Sequence, residues 1–160
     1  LIVTMPPRHG KSELISKYAP AWFLGNFPHR KVMLASYADD FAQGWGRKAR
    51  EVLMENRDLF GVELDPITTG GKEWNVLRTP EGRKARGVMV TAGVGGGLTG
   101  KGAHFLVIDD PVKNAEEAQS QRTRDAHWDW WASTVRTRLQ KGAGVVLVMT
   151  RWHEDDLAGR

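Results

Sequence analysis

The apolar run Leu1-Ile2-Val3-Thr4 passes into Met5-Pro6-Pro7-Arg8-His9-Gly10-Lys11-Ser12, and the amphipathic stretch Glu13-Leu14-Ile15-Ser16-Lys17-Tyr18 follows at once. A buried strand, a loop and a helix in that order turn the loop's backbone N–H groups toward a common point, with the helix amino terminus behind them. A bound anion satisfies such an arrangement. Pro7, Arg8, His9, Gly10, Lys11 and Ser12 would cradle the phosphates of a nucleotide, with Lys11 reaching the β- and γ-phosphates and the Ser12 hydroxyl taking one position on Mg²⁺. The pattern G-x-x-x-x-G-K-[ST] has glycine where Met5 stands, so a chance Gly-Lys-Ser at a helix start is the competing reading.

Phe105-Leu106-Val107-Ile108 is a second apolar run, and it ends in Asp109-Asp110. A buried parallel strand delivers carboxylates to the carboxyl edge of a sheet in this way. Asp109 would hold Mg²⁺, directly or through water. Asp110 would orient or deprotonate the attacking water, a role worth about 10²–10⁴ in rate for a positioned base. Many ATPases carry Glu at that second position. Asp is shorter by one C–C bond of about 1.5 Å, so the loop must bring it closer or a second water must relay. A strand-end turn ahead of Pro111 is the plain alternative, since Asp and Pro are both common there.

Four apolar runs, Leu1–Thr4, Val32–Ala35, Phe105–Ile108 and Val145–Met149, lack in–out alternation and read as strands buried on both faces by helices. They imply an α/β fold, three-layer α/β/α, with a mainly parallel central sheet. Asp40 and Gln43 suit a capping box for a helix to about Asn56, with Phe41, Trp45, Ala49, Val52 and Leu53 near one face. Gly44 and Gly46 inside it each cost about 1 kcal/mol relative to Ala. Asn114 with Glu117 repeats the capping logic for a helix to about Gln140, stopped by Gly142 and Gly144. Its Trp128, Trp131, Val135 and Leu139 fall at helical spacing and read as core ahead of a base-stacking platform. Trp74–Leu77 and Gly87–Thr91, joined by Thr79-Pro80-Glu81-Gly82, read as a hairpin excursion from the βαβ scaffold.

A chain of 160 residues is one domain's worth, enough for a single core. It has no cysteine, which excludes disulfides and zinc thiolate sites and fits a reducing compartment. Its apolar runs fall far short of a membrane span. No signal peptide is visible, and an opening inside a strand suggests a fragment. Likewise, a new helix is expected to start near Asp155-Asp156. Lys and Arg exceed Asp and Glu by 23 to 19, a net charge of +4 that a polyanion partner or an ordinary domain would equally fit.

Val94-Gly95-Gly96-Gly97-Leu98-Thr99-Gly100-Lys101-Gly102 invites reading as a second phosphate loop, but a strand follows it, so no helix amino terminus backs the glycines. A mobile loop near the γ-phosphate or DNA and a plain irregular turn stay open, with Lys101 the residue to test. Thr150 would sit beside the γ-phosphate and sense its loss if its strand lies between those of Lys11 and the Asp pair; a strand-end Thr with no ligand is the alternative. His153-Glu154-Asp155-Asp156 has the residue types of a metal site, yet acids in a first helical turn simply complement the dipole. Arg83, Lys84 and Arg86, with Lys72 and Arg78 close by, form the densest basic stretch. On a hairpin they would track DNA phosphates or simply face solvent.

Taken together, Pro6-Pro7-Arg8-His9-Gly10-Lys11-Ser12, Leu98-Thr99-Gly100-Lys101-Gly102, Leu106-Val107-Ile108-Asp109-Asp110-Pro111 and Thr150-Arg151-Trp152-His153-Glu154-Asp155-Asp156-Leu157 resemble the large terminase subunit of tailed bacteriophages in motif order and spacing. The resemblance covers nearly all of the chain. It implies that residues 1–160 are a P-loop ATPase domain of the additional-strand type, using ATP and Mg²⁺. An adenine-binding segment would precede it and an RNase H-like nuclease would follow, so that DNA cutting belongs to the parent protein. The implied setting is a homo-oligomeric ring on a procapsid in the cytoplasm of the bacterial host, threading double-stranded DNA inward with the portal protein and small terminase subunit as partners, and no membrane. By resemblance Lys11 and Ser12 are the phosphate and Mg²⁺ residues, Asp109 and Asp110 the Walker B pair, and Thr150 the coupling residue; Arg8 joins Lys11, Asp110 and Thr150 among the candidate catalytic groups. Two positions depart from the family. Its phosphate-loop arginine often stands one position before Arg8, and the arginine common ahead of the Walker B strand is replaced by Thr99 and Lys101, of which lysine cannot make a bidentate contact. A helicase-like DNA translocase on the same fold and a non-hydrolysing DNA-binding or assembly module are the rival readings.

Overall fold

The computed structural model describes residues 1–97 and 102–160; Leu98, Thr99, Gly100 and Lys101, and with them the Lys101 reading, lie outside the described residues. In chain order the elements are β1 (Ile2–Thr4), a π-helical segment (Glu13–Tyr18), α1 (Ala19–Asn26), β2 (Lys31–Ser36), α2 (Asp39–Glu55), α3 (Arg57–Phe60), β3 (Glu63–Leu64), β4 (Glu73–Arg78), β5 (Val88–Gly93), β6 (Ala103–Asp109), α4 (Ala115–Gln119), α5 (Gln121–Asp129), a second π-helical segment (Trp130–Val135), a 3₁₀ turn (Arg136–Arg138) and β7 (Leu139–Met149). The strands form one sheet in the order β1-β7-β6-β2-β5-β4-β3. It is parallel from β1 through β5 and antiparallel where β4 and β3 are added.

Helices cover both faces. Val32, Leu34 and Val107 pack with Ala21, Leu24, Ala42 and Trp45 on one side, while Met33, Ala35, Leu106 and Ile108 pack with Trp130 and Val135 on the other. Successive residues of a strand point to opposite faces, so a strand covered twice must be apolar at every position. That is why β2 and β6 read as unbroken apolar runs.

Elsewhere the structure corrects the sequence reading. The Gly87–Thr91 segment is no excursion: β5 does pair antiparallel with β4, but it also lies parallel to β2 from Lys31↔Val88 to Ser36↔Gly93 and so widens the main sheet. The Asp40–Gln43 capping box does not form. Ala38 is the extended residue ahead of α2, and the Asp40 side chain accepts from the N–H of its neighbour Phe41. Asp39 instead reaches across to β5 and accepts from Gly93 N at 2.5 Å.

The long helix expected from Asn114 to Gln140 is interrupted. The Asn114 side chain caps α4 by accepting from Glu117 N at 3.0 Å, and Ser120 then caps α5 by accepting from Thr123 N at 3.3 Å. The π-helical turn after α5 rotates the buried face, so Trp130 is 5% exposed whereas Trp128 and Trp131 stay partly exposed. Leu139 and Gln140 already belong to β7. The β6–β7 register slips between Ala103/Phe105 and Leu139/Gly144, and residues 140–143 bulge outward there with Gly142 at φ 76°.

Residues 151–160 form turns rather than a new helix. Asp156 accepts from Ala158 N and Gly159 N and pairs with Arg151 at 2.6 Å. Asp155 pairs with Arg160 and Arg124, whose guanidinium groups hold its carboxyl well below the usual range. Arginine and backbone partners, not a helix dipole, account for these acids. Among the described residues no cluster of three or more His, Cys, Asp or Glu is placed to hold a metal, and no helix is long and apolar enough to cross a membrane.

Candidate functional site

β1, β7 and β6 are neighbours, so the loop after β1, Thr150 after β7 and Asp109-Asp110 at the end of β6 emerge together at the carboxyl edge of three parallel strands. Pro7, Arg8, His9 and Gly10 form the exposed crest of the loop. Arg8 and Gly10 take left-handed backbone conformations, at φ 65° and 76°, and His9 Nδ1 lies 2.9 Å from the Pro7 carbonyl oxygen. Helical structure begins at Lys11. It loosens at once into i→i+5 pairing, with Ala19 N donating to the Leu14 carbonyl. Pro20 follows directly, with no N–H to bond the Ser16 carbonyl four residues back and a ring that crowds that carbonyl, so an ordinary helical ladder cannot run through this stretch.

Five side chains meet at this edge. Ser12 Oγ donates to Asp109 Oδ1 at 2.9 Å. Lys11 is 8% exposed, and its Nζ lies 3.3 Å from Asp110 Oδ2 and donates to Thr150 Oγ1 at 3.3 Å. Thr150 N donates to Asp110 Oδ1 at 3.1 Å. Asp110 occupies a left-handed conformation at φ 41°, which a residue with a Cβ adopts only at a cost of about 1–2 kcal/mol. Its backbone is fixed from both sides, donating to the Val148 carbonyl at 2.8 Å and accepting from Tyr37 N at 3.3 Å.

Burial pushes the Asp109 carboxyl up to about 6, opposed by the Ser16 and Ser12 hydroxyls and by Lys11 and reinforced by the neighbouring Asp110. The residue is fully buried, and among the described residues its Oδ2 has no hydrogen-bond partner. Ser16 Oγ lies close enough to depress the pKa yet outside hydrogen-bond geometry, and it too is unpartnered. Ionised at neutral pH, such a carboxylate is short of compensating positive charge. A cavity of about 160 Å³ opens over Lys11, Asp110 and Thr150, walled in part by Tyr37, Phe41 and Trp152. The larger groove of about 920 Å³ beside Arg50, Val62 and Leu64 holds none of these paired groups.

Ser16, Ser36 and the aromatic wall are not singled out by the sequence. Two signals mark the serines: Ser16 falls four residues after Ser12, on the same helical face, and Ser36 is the polar residue closing the apolar run of β2.

Arg83, Lys84 and Arg86 are exposed at the opposite rim, on the connection that enters β5 at its amino end. Gly87 there passes so close to Pro28 that an added Cβ would lie 2.5 Å from the Pro28 carbonyl oxygen. Arg30 and Lys31 at the start of β2 and Arg136 and Lys141 at the start of β7 share this rim. His104 sits among them, its pKa lowered by burial and by the charges of Arg30 and Lys31. The basic stretch and the Lys11 site are therefore at opposite ends of the sheet.

The sequence profile described as "Terminase large subunit, T4likevirus-type, N-terminal" matches residues 2–159. Among solved structures the fold is similar to the large terminase ATPase domain of Thermus phage P74-26, with a TM-score of 0.64 at 15% identity, covering 93% of this chain and 58% of that one. A point mutant of the same domain gives the same score and coverage at 14% identity. The chain thus spans 58% of the length of those structures. Comparison with curated proteins returns no match. Similarity at such low identity shows a shared fold, and the profile match runs through almost every residue. The chain belongs to the terminase large subunit family, as a T4likevirus-type N-terminal region.

Proposed function

We propose that this chain is an ATP-hydrolysing, Mg²⁺-dependent motor domain of the additional-strand P-loop type that drives double-stranded DNA into a procapsid. One observation carries the reading: Ser12 Oγ meets Asp109 Oδ1 at 2.9 Å while Lys11 Nζ meets Asp110 Oδ2 at 3.3 Å. A hydroxyl and an amine from the loop after one strand thereby face two acids at the end of another. Membership of the terminase family and the fold shared with a terminase ATPase domain support it. A ring on the portal, a small terminase subunit and a nuclease elsewhere in the parent protein follow from the family reading.

The residues fit Mg²⁺. This ion keeps several waters and is held by one or two carboxylates together with substrate phosphates, so it needs no cage of acids. Ser12 has committed its one proton to Asp109, which leaves its lone pairs free to face a cation. Bound there, the ion would neutralise charge on the β- and γ-phosphates. The Lys11 amine, shared between Asp110 and Thr150, would turn to phosphate oxygens once these arrive. Asp110, released from the amine and still held by Thr150 N, then orients the attacking water and accepts its proton. Thr150 touches both partners, so it registers the exchange. Arg8, exposed at the loop crest and without an ion pair among the described residues, is free to meet the γ-phosphate. Arg83, Lys84 and Arg86 at the far rim would meet the DNA backbone.

Phosphate release with Mg²⁺, ATP and double-stranded DNA tests the reading. Asp110→Asn is expected to keep nucleotide binding and to lower turnover by about 10²–10⁴. Unchanged turnover removes Asp110 from the mechanism, and a wild-type protein that releases no phosphate is a non-hydrolysing module.

A further inference from the structure

Among the described residues, three buried polar atoms without a hydrogen-bond partner belong to elements that meet at the site. They are Ser16 Oγ, Ser36 Oγ and Asp109 Oδ2, and all three residues are 0% exposed. Ser36 is paired directly with Asp109 in the parallel register of β2 and β6. Alternation along the strands gives Ser36 the face of Val32 and Leu34 and gives Asp109 the face of Val107. Those three apolar residues pack in one cluster with Ile15, the neighbour of Ser16. Ser36 therefore stands beside Asp109 on one face of the sheet, in the adjacent strand, and the Ser16 hydroxyl lies near enough to the Asp109 carboxyl to depress its pKa. Among the described residues neither hydroxyl has a hydrogen-bond partner.

An orphaned buried polar group costs about 1–3 kcal/mol, and proteins commonly relieve such groups with an internal water making about three hydrogen bonds. The donor count here closes on one water. It can donate to Asp109 Oδ2 and to one serine oxygen while accepting from the other serine, because a hydroxyl serves in either role and a carboxylate only accepts. A carboxylate turns easily about its last torsion, whose wells are broad. Ser12 holds only Oδ1.

We infer that Ser16, Ser36 and Asp109 Oδ2 bind one internal water that locks the Asp109 carboxylate in the orientation the metal requires, which makes Ser36 and Ser16 positioning residues. This rests on the nucleotide-site reading above. The test is Mn²⁺ affinity, measured by electron paramagnetic resonance on protein loaded with a non-hydrolysable ATP analogue, for the wild type, Ser36→Ala, Ser16→Ala and Ser36→Thr. Each Ala variant is expected to weaken Mn²⁺ by about tenfold, the low end for losing a group that orients a metal ligand, with analogue affinity in the absence of metal unchanged. Ser36→Thr, which keeps the hydroxyl, is expected to recover most of the loss. A crystal structure of the wild type is expected to show one water bonded to all three atoms. Mn²⁺ affinity equal to wild type in both Ala variants, or a dry Ser16–Ser36–Asp109 site, overturns the inference alone. A wild type that binds no Mn²⁺ with the analogue present overturns the nucleotide site and the inference with it.

Discussion

Asp109 links stability to pH in a direction opposite to most acids. Its folded pKa of about 6 lies above the ordinary 3.8, so between those values the folded protein keeps a proton that the unfolded chain has released. Stability then falls as pH rises through that window and levels off above it. Asp109→Asn keeps an acceptor for Ser12 without the charge. It is expected to lose this slope and to exceed the wild type at pH 7.5 by about 3 kcal/mol, at about 1.4 kcal/mol per tenfold change in proton affinity. Urea denaturation at pH 4.5 and 7.5 checks both, and parallel pH profiles of the two proteins would refute it. Lys11 gives a companion test at the same scale. Lys11→Ala leaves Asp110 without its cation and the phosphates without their amine, so ATP binding, read by fluorescence from Trp152 beside the cavity, is expected to weaken at least tenfold. That Lys11, Ser12, Asp109 and Asp110 would come together was legible in part, because the acids close one apolar run and the Lys-Ser pair follows the loop after another. What joins them was not, since hydrogen bonds between residues 97 apart in sequence, as Ser12 and Asp109 are, leave no local pattern.

At the scale of elements, glycines in α2 separate propensity from packing. Gly44 has open space where a Cβ would stand, whereas a Cβ on Gly46 would lie 2.2 Å from the Gly71 carbonyl oxygen and 2.8 Å from Thr91 Cγ2. Gly44→Ala is therefore expected to stabilise by about 0.5–1 kcal/mol, and Gly46→Ala to destabilise by about 1–3 kcal/mol through overpacking against backbone. Thermal melts of the two variants should move in opposite directions; a gain for Gly46→Ala would contradict the close approach. The basic turn before β5 also belongs here. Changing Arg83, Lys84 and Arg86 to Gln is expected to weaken DNA binding and to flatten its log–log salt dependence by about 0.9 for each phosphate that is no longer neutralised, and an unchanged slope would leave the turn a solvated face. The parallel strands were legible as elements because burial on both faces makes them continuous apolar runs. The π-helical turns and the break at Ser120 were not. They depend on where carbonyls find donors, as at Pro20, and on which of three neighbouring tryptophans the sheet can accept.

The whole sheet has unequal flanks. At one side β3 is only two residues long and irregular in register, which blunts the edge, while at the other, among the described residues, no strand pairs the outer edge of β1 beside Leu1 and Ile2, 77% and 54% exposed. The 160-residue chain is expected to self-associate through β1 at micromolar concentration, and Ile2→Lys to suppress this in sedimentation velocity with little change in melting temperature. Sedimentation of wild type as a monomer at all concentrations would exclude it. That β5 completes the parallel half of this sheet could not be read from sequence, because the turn from β4 supplies a local hairpin partner whereas the pairing of Lys31 with Val88 spans a long stretch of chain and leaves no local pattern. β6 has one further consequence. Its seven residues run from the cationic rim to Asp109, a span of about 20 Å at about 3.3 Å per residue, and β7 lies alongside in register for most of that length. If the proposed function holds, fuel and cargo sit at the two tips of one strand pair, and a power stroke begun at Thr150 would meet its first break only at the 140–143 bulge beside the far tip.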